Sequence, residues 1–307
     1  MSAEPTAATR PALPLRLLRS PLGRIAAFAV TAFLIGMVAG RIYDGLGLPK
    51  GAIPFRDVTP LIELFRLAPV VLAYWLLVRT IENRRIDELA PRKAVPHVLA
   101  GIVGGAALFS LVVGALWALG AFVVDGVNHD VPWLGPVLVL GVGAGVGEEI
   151  VSRGVIFRIV EEGLGTWAAL LLSAAVFGGL HAWNPNATAW SALAIAIEAG
   201  LLFGLLYHVT RSLWVCMGMH ATWNVAQGPI YGIPVSGFEQ HGLLASHMRG
   251  PDWLTGGAFG AEASVVALGL CSVATAGCLA IALRRGTLVP PPWRRNRAQA
   301  ARATPIM

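Results

Sequence analysis

Charged residues are scarce in this chain of 307 residues. Asp, Glu, Lys and Arg make up 13% of the sequence, about half of the share of roughly 25% found in soluble domains. Hydrophobic residues make up 56%, and the mean hydropathy is +0.67. A soluble core could not enclose that much apolar surface, whereas a lipid bilayer can surround it. The sequence therefore excludes an ordinary soluble protein and predicts an all-α integral membrane protein.

Cysteine is also scarce. The three cysteines, Cys216, Cys271 and Cys278, lie inside apolar runs. Their spacing matches no metal-binding motif, and an odd number at membrane depth gives no disulfide framework. We interpret them as small apolar packing residues.

The chain also lacks a concentrated basic surface and an internal repeat. Its net charge of +6 comes from residues in tails and loops between apolar runs. Membrane topology accounts for that pattern, so we expect no nucleic-acid partner. Without a repeat, a transporter built from duplicated halves gains no support. We expect no cleavable signal peptide, because the apolar run from Ile25 to Gly40 is typical of a first transmembrane helix or signal anchor.

Eight stretches approach the length of about 20 largely apolar residues that a spanning helix needs. They lie at 24–43, 59–80, 97–124, 133–158, 164–183, 187–207, 212–230 and 261–283. Arg and Lys are concentrated in the two tails and in the loop around 79–93, whereas the loops at 125–132 and 184–190 contain none. Because positive charge stays on the cytoplasmic side, we expect about eight transmembrane helices with both termini cytoplasmic.

This topology predicts three regions. A polytopic helical membrane domain occupies residues 23–284. Basic cytoplasmic tails, disordered because they are rich in Pro, Arg and Ala, occupy residues 1–22 and 285–307. The Ala-, Arg- and Gly-rich composition is typical of a GC-rich bacterial genome, so we expect a multi-pass protein of the bacterial plasma membrane.

Two adjacent carboxylates and an arginine interrupt the fourth predicted span, at Glu148, Glu149 and Arg153. Each charge near the bilayer centre costs about 2.5–3.5 kcal/mol. Glu149 and Arg153 are four residues apart and are predicted to pair on one helix face. Glu148 is rotated about 100° away and has no evident cationic partner on this helix. The alternative interpretation is a helix end at the membrane interface. The alternating glycines at 141–147 favour close approach by a neighbouring helix or a substrate backbone.

The fifth span supplies Phe177 and His181, followed by Asn184. A lone histidine near a helix end is often an interfacial residue, but its position in the hairpin suggests more. The turn between the fourth and fifth spans is centred on Leu164; Glu148 lies 16 residues before it and His181 lies 17 residues after it. At 1.5 Å per residue, both lie about 25 Å from the turn. We therefore expect the two side chains to meet.

The seventh span carries His220 and Asn224, whose spacing of four residues places them on one helix face. Such an asparagine can simply bind a neighbouring helix. Together with the other two helices, however, these residue types suit hydrolysis of an acyl group. A carboxylate beside a neutral imidazole can take a proton from water, and a His–Asn pair can stabilise an oxyanion. Zinc held by one glutamate and two histidines stays open as the alternative, although no His-Glu-x-x-His helix is present.

The chain resembles the CAAX protease and bacteriocin-processing family (CPBP, also called Abi), which includes the type II prenyl-protein proteases. The resemblance lies in three motifs, in order on three membrane helices: Glu148-Glu149-x-x-x-Arg153, Phe177-x-x-x-His181 and His220-x-x-x-Asn224. It places a peptidase core at about residues 133–230.

The resemblance implies a glutamate-dependent intramembrane endopeptidase acting on a membrane-associated peptide or protein. Carried over by position, Glu148 and His181 would activate the water, while His220 and Asn224 would stabilise the oxyanion. We expect no required cofactor. The residues that would support the site are Glu149, Arg153, Phe177 and Asn184.

Two other functions stay open on the sequence alone. A catalytically silent membrane scaffold or immunity-type regulator would keep the same fold. A proton-coupled transporter would use Glu148, Glu198 and the histidines as a relay. Glu198, in the middle of the sixth span, matches no motif, and we interpret it as either a helix-packing partner or an accessory site residue.

Overall fold

The structure, a computed structural model, describes residues 13–51 and 53–295. The predicted tails at 1–22 and 285–307 therefore lie partly outside the described residues. Within the first of them, a short helix, α1, spans Leu13–Leu18. The next helix begins at Pro21, where the Ser20 hydroxyl caps it by accepting a hydrogen bond from the backbone of Gly23 at 3.1 Å.

Helices at all eight predicted positions form the body of the described chain. They are α2 (Pro21–Gly45), α3 (Pro60–Ile81), α4 (Pro91–Ala118), α5 (Leu134–Leu164), α6 (Thr166–His181), α7 (Ala189–Thr210) and α8 (Leu213–Val225, continued by a π-helical turn at Ala226–Ile230); a one-turn helix, α9 (Asp252–Thr255), precedes the last, α10 (Val265–Arg285). Short 3-10 turns lie at Phe55–Asp57, Asp87–Leu89, Gly257–Phe259 and Ala261–Ala263.

Six helices in the described residues are long and apolar enough to cross a membrane: α2, α3, α4, α5, α7 and α10. Helix α6 is apolar but has only 16 residues. Helix α2 keeps most of its apolar side chains exposed, among them Phe33 and Met37. Exposed apolar surface of this extent requires lipid around it. The chain is therefore a multi-pass membrane protein built mainly of helices.

One pair of short strands accompanies the helices, and the sequence did not predict it. Strand β1 (Phe122–Val127) pairs antiparallel with strand β2 (Leu244–Met248). The predicted span at 97–124 therefore ran too far: α4 ends at Ala118, and Gly120 turns the chain with a φ of 71°. The apolar run continues through this turn, which is why composition alone could not place the boundary.

Polar contacts gather helix ends on one side of the bundle. Arg24, at the start of α2, contacts Glu82 just after α3 at 3.1 Å and Glu162 near the end of α5 at 2.6 Å. Glu161, beside it, is 2.6 Å from the ring of His208 near the end of α7. The start of α2 and the ends of α3, α5 and α7 therefore share one side, which we call the charged end.

The two strands and the loops beside them lie at the other end, which we call the sheet end. There, Asn184 after α6 donates to the carbonyl of Ser236 in the loop after α8 at 3.1 Å. Trp190 at the start of α7 donates to the carbonyl of Ala263 just before α10 at 2.8 Å. Successive long helices thus run in alternating directions.

Glycines allow α8 to lie at the centre of the bundle. A Cβ at Gly105 of α4 would lie 2.5 Å from the carbonyl oxygen of Met219 in α8, and one at Gly145 of α5 would lie 3.0 Å from the Cβ of Ala221. Only glycine permits the first approach, and small residues pack helices closely in membranes. The alternating glycines of α5 therefore serve helix packing, which brings α8 next to the carboxylates of α5.

Candidate active site

The first predicted pair meets as expected. Oε2 of Glu148 lies 3.8 Å from Nε2 of His181 and 3.9 Å from Nε2 of His220. The Glu148 side chain is 39% exposed, yet Oε2 itself is buried and has no hydrogen-bond partner among the described residues. Both separations exceed a direct hydrogen bond, and a water between such groups can bind to each of them.

The backbone of α6 selects the tautomer of the neutral His181 ring. Nδ1 lies 2.8 Å from the carbonyl oxygen of Phe177, one turn earlier. Because a carbonyl only accepts, Nδ1 must carry the hydrogen, and in the neutral ring Nε2 is left as an acceptor. That acceptor faces Glu148. The pair can thus bind a water through two acceptors, which orients both of its hydrogens.

Glu149 makes a contact that the sequence did not reveal. Its Oε1 lies 2.9 Å from Nη1 of Arg153, as predicted, and also 2.9 Å from Nδ1 of His220. Both side chains of the Glu149–Arg153 pair are almost fully buried, at 0% and 1% exposure. Glu149 therefore holds the His220 ring with Nε2 directed towards Glu148, and it can balance the charge of a doubly protonated ring.

Arg153 joins three helices. Its guanidinium donates to the carbonyl of Ala199 in α7 at 2.8 Å and lies between the rings of Phe177 and Phe203, with centroids 4.7 Å and 5.2 Å away. Such a cation–π contact favours arginine over lysine, because the planar guanidinium stacks on the rings. Phe177 thereby supports the site by holding Arg153 and by packing on the His181 ring at 4.6 Å.

The two predicted asparagines take different positions. Asn224 is buried and donates through Nδ2 to the carbonyl of Leu140 at 3.0 Å, which leaves its second amide hydrogen for another acceptor. It lies one helical turn after His220 and borders the same cavities. Asn184 instead binds the loop after α8 at the sheet end, while also lining the larger cavity. The structure thus gathers all eight predicted residues around one site.

A cavity of about 490 Å³ lies between α3, α5 and α6, a volume within the range of ordinary ligand sites. Glu148, His181, His220 and Asn224 all face it. Its remaining wall is mostly apolar and includes Leu67, Val70, Leu140, Val151, Leu180 and Phe238. This combination suits an apolar, extended ligand with one polar group held at the glutamate.

The central part of the chain, which carries this site, matches a known family. Residues 130–226 fit the model described as type II CAAX prenyl endopeptidase Rce1-like. This segment is similar to the Rce1-like family. No curated protein matches the chain.

The Rce1-like segment coincides closely with the peptidase core predicted at about 133–230. It takes in α5, α6, α7 and α8 up to Ala226, and it contains all eight predicted site residues. The earlier helices and α10 lie outside it. The similarity to the Rce1-like family supports a protease-type enzyme in general terms.

π-Helical stretches around the site were missed by the sequence analysis. They flank Glu148 and Glu149 at Val137–Ala144 and Ile150–Phe157, contain Glu198 at Ala196–Leu201, and follow Asn224 at Ala226–Ile230. Such stretches are frequent at functional sites and rotate side chains away from α-helical positions. The only available signal was the presence of polar residues themselves, since glycine and apolar residues around them fit an ordinary helix equally well.

The zinc alternative would need one glutamate and two histidines directed at a common point. Within residues 13–51 and 53–295, no group of three or more His, Cys, Asp or Glu side chains is placed to hold a metal ion. Instead, Nδ1 of His181 lies beside the carbonyl oxygen of Phe177, and Nδ1 of His220 lies beside the carboxylate of Glu149. The expectation that the site needs no cofactor stays a prediction.

Proposed function

We propose that the protein is a glutamate-dependent intramembrane endopeptidase that hydrolyses peptide bonds of membrane-associated peptides or proteins. The observation that carries this proposal is the convergence of Glu148, His181 and His220 at 3.8–3.9 Å beside a mostly apolar cavity. The match of residues 130–226 to the Rce1-like family model supports it. In this proposal the nucleophile is water, and no side chain forms a covalent intermediate.

The first step is attack by water. A water bound between Oε2 of Glu148 and Nε2 of His181 transfers one proton to the glutamate as its oxygen bonds to the carbonyl carbon of the peptide. The His181 ring accepts a hydrogen bond from the other hydrogen and keeps the oxygen aligned. The products of this step are a protonated Glu148 and a tetrahedral oxyanion.

The second step is cleavage of the carbon–nitrogen bond. Until then, the oxyanion is stabilised by a hydrogen on Nε2 of His220 and by the free amide hydrogen of Asn224. Glu149 balances the charge of the His220 ring from its other nitrogen. As the bond breaks, Glu148 returns its proton to the departing nitrogen, which yields an amine and a carboxylic acid and restores the carboxylate.

The substrate class follows from the cavity wall. A mostly apolar wall favours a peptide with apolar side chains or an attached apolar chain over a polar peptide. Because the cavity borders membrane-spanning helices, we infer that substrates are segments held in or at the bilayer. The cavity does not distinguish prenylated from unmodified substrates. The comparison of membrane-protein fragments described below identifies the substrates and shows whether they carry a prenyl group.

Eight spans with both termini cytoplasmic remain our proposal for the topology. The alternating direction of the long helices and the collection of arginines at the charged end support it. Under this topology the cavity, which is bordered by Phe55 and Ser236 in sheet-end loops, opens towards the extracytoplasmic side. The protein would then lie in a bacterial plasma membrane and cut close to its outer surface.

Cysteine labelling checks this orientation. In a variant whose three native cysteines are replaced by serine, His129→Cys at the sheet end should react with a membrane-impermeant maleimide in intact cells. Arg85→Cys at the charged end should react only after permeabilisation, because both positions are exposed but on opposite sides. The reverse labelling pattern would contradict the proposed topology.

Comparison of membrane-protein fragments tests the function. Cells carrying the wild-type protein should accumulate new peptide termini that are missing from cells carrying Glu148→Gln, as measured by mass spectrometry of labelled termini. Glu239→Gln, which changes an exposed loop carboxylate, serves as the matched control and should retain every cleavage. Equal sets of termini in all three strains, at equal protein levels, would favour a catalytically silent scaffold.

A further inference from the structure

A second, smaller chamber adjoins the proposed site. It has a volume of about 30 Å³, enough for about two water molecules. Three of the four candidate catalytic residues line it, namely His181, His220 and Asn224. Two further carboxyls, Glu198 and Glu262, line it as well, and neither has a role in the mechanism above.

Glu198 lies in the π-helical part of α7 and is only 2% exposed. Its Oε2 is buried without a hydrogen-bond partner among the described residues, and no lysine or arginine there lies within ion-pair distance of it. A residue that served to pack helices would bind a polar group on a neighbouring helix. The alternative that the sequence left open, an accessory site residue, agrees better with a carboxyl that faces a water-sized chamber.

Glu262 approaches the chamber from the 3-10 turn before α10 and is also 2% exposed. Its carboxyl accepts a hydrogen bond from the backbone N–H of Ser236. Burial raises the pKa of Glu262 to about 7, although the hydrogen bonds from Ser236 and Gln227 partly oppose the effect. This carboxyl therefore gains or loses its proton near neutral pH.

The other titratable and charged groups around Glu198 come from every helix that packs on α7. Helix α6 contributes His181, α8 contributes His220 and α10 contributes Cys271, all of them on the chamber wall. Helix α5 contributes Arg153, whose guanidinium binds the carbonyls of Ala199 and Gly200 and is already paired with Glu149. The guanidinium that contacts the backbone just after Glu198 is thus committed to that backbone and to another carboxylate.

We propose that Glu198 and Glu262 form a proton-storing pair that exchanges a proton with the site histidines through water held in this chamber. The inference rests on the proposed function, since hydrolysis yields a carboxylic acid whose proton must leave an apolar cavity. That proton passes from the product acid to a histidine ring, from the ring to the chamber water, and from the water to a carboxylate of the pair. The carboxylate later returns the proton through the chamber water and a histidine ring, from which it is released to bulk solvent, and this restores the starting state. Both residues act through the histidines and are positioning residues.

The pH profile of kcat tests the pair in the full-length protein in lipid nanodiscs. Glu198→Gln and Glu262→Gln should each shift the midpoint of the profile by about one pH unit, because two coupled carboxyls titrate together, and KM should stay unchanged. Cys271→Ala, which alters the same chamber wall without removing a carboxyl, should keep the wild-type midpoint. Wild-type midpoints in both glutamine variants would overturn the proposal.

Infrared titration of the wild-type protein tests the pair without the Glu198→Gln and Glu262→Gln variants. The wild-type protein should show the C=O stretch of a protonated, buried carboxyl that disappears near neutral pH, and the Glu148→Gln variant should retain this band. A wild-type spectrum without such a band would overturn the proton-storing pair. An active Glu148→Gln variant that keeps the band would instead contradict the proposed function alone, so the two failures are distinguishable.

Discussion

Replacing Glu148 by glutamine should lower kcat for peptide cleavage by about 10²–10⁴-fold, the usual contribution of a general base. Glutamine keeps the size and polarity of the side chain but cannot take a proton from water. KM should change little, because the apolar wall of the cavity is untouched. The measurement is steady-state cleavage of a membrane peptide by purified protein in nanodiscs.

The Glu239→Gln control separates lost chemistry from lost charge. Glu239 is exposed in the loop after α8, so its variant should keep the wild-type kcat. Equal unfolding temperatures for the two variants and the wild type would show that Glu148→Gln is folded. A folded Glu148→Gln protein with more than about a tenth of the wild-type kcat would contradict the role of general base, since even a weak base contributes about 10²-fold.

Replacing Arg153 by methionine should lower the free energy of unfolding by about 3–5 kcal/mol, the cost of breaking a buried ion pair from one side. The change leaves the Glu149 carboxylate without its arginine at membrane depth and frees the carbonyls of Ala199 and Gly200. Denaturation in mixed micelles measures this loss. Arg249→Met, at an exposed position, is the matched control and should have little effect.

A second substitution distinguishes an unpaired charge from lost packing. Adding Glu149→Gln to Arg153→Met should restore part of the stability, because no buried charge is then left unpaired. Activity should remain low in the double variant, since Glu149 also holds His220 at 2.9 Å. A double variant that is less stable than Arg153→Met alone would show that the ion pair does not explain the effect.

Hairpin geometry made much of this site predictable from the sequence. Glu148 and His181 are almost equally far from the turn at Leu164 and Gly165, and antiparallel helices bring such positions together. The Glu149–Arg153 pair followed from a spacing of four residues. Both predictions depend only on local helix geometry, and the structure confirms both contacts.

Other contacts depend on how separate segments pack, and the sequence could not place them. The bond between Glu149 and His220 joins residues 71 positions apart and requires the glycines that bring α8 against α5. Glu262 reaches the chamber only because the loop after α8 folds back, with Ser236 binding its carboxyl. The strand at Phe122 continues the apolar run of α4, so hydropathy did not reveal where that helix ends.

A double-mutant cycle of Glu148 and His181 tests most directly whether the two residues act on one water. Cleavage of the same peptide is measured for Glu148→Gln, His181→Ala and the double variant, each shown to be folded. The effects of substituting residues that act as a unit are strongly non-additive. The double variant should therefore be about as active as the less active of the two single variants. Losses that multiply in the double variant would contradict a shared water and with it the proposed site.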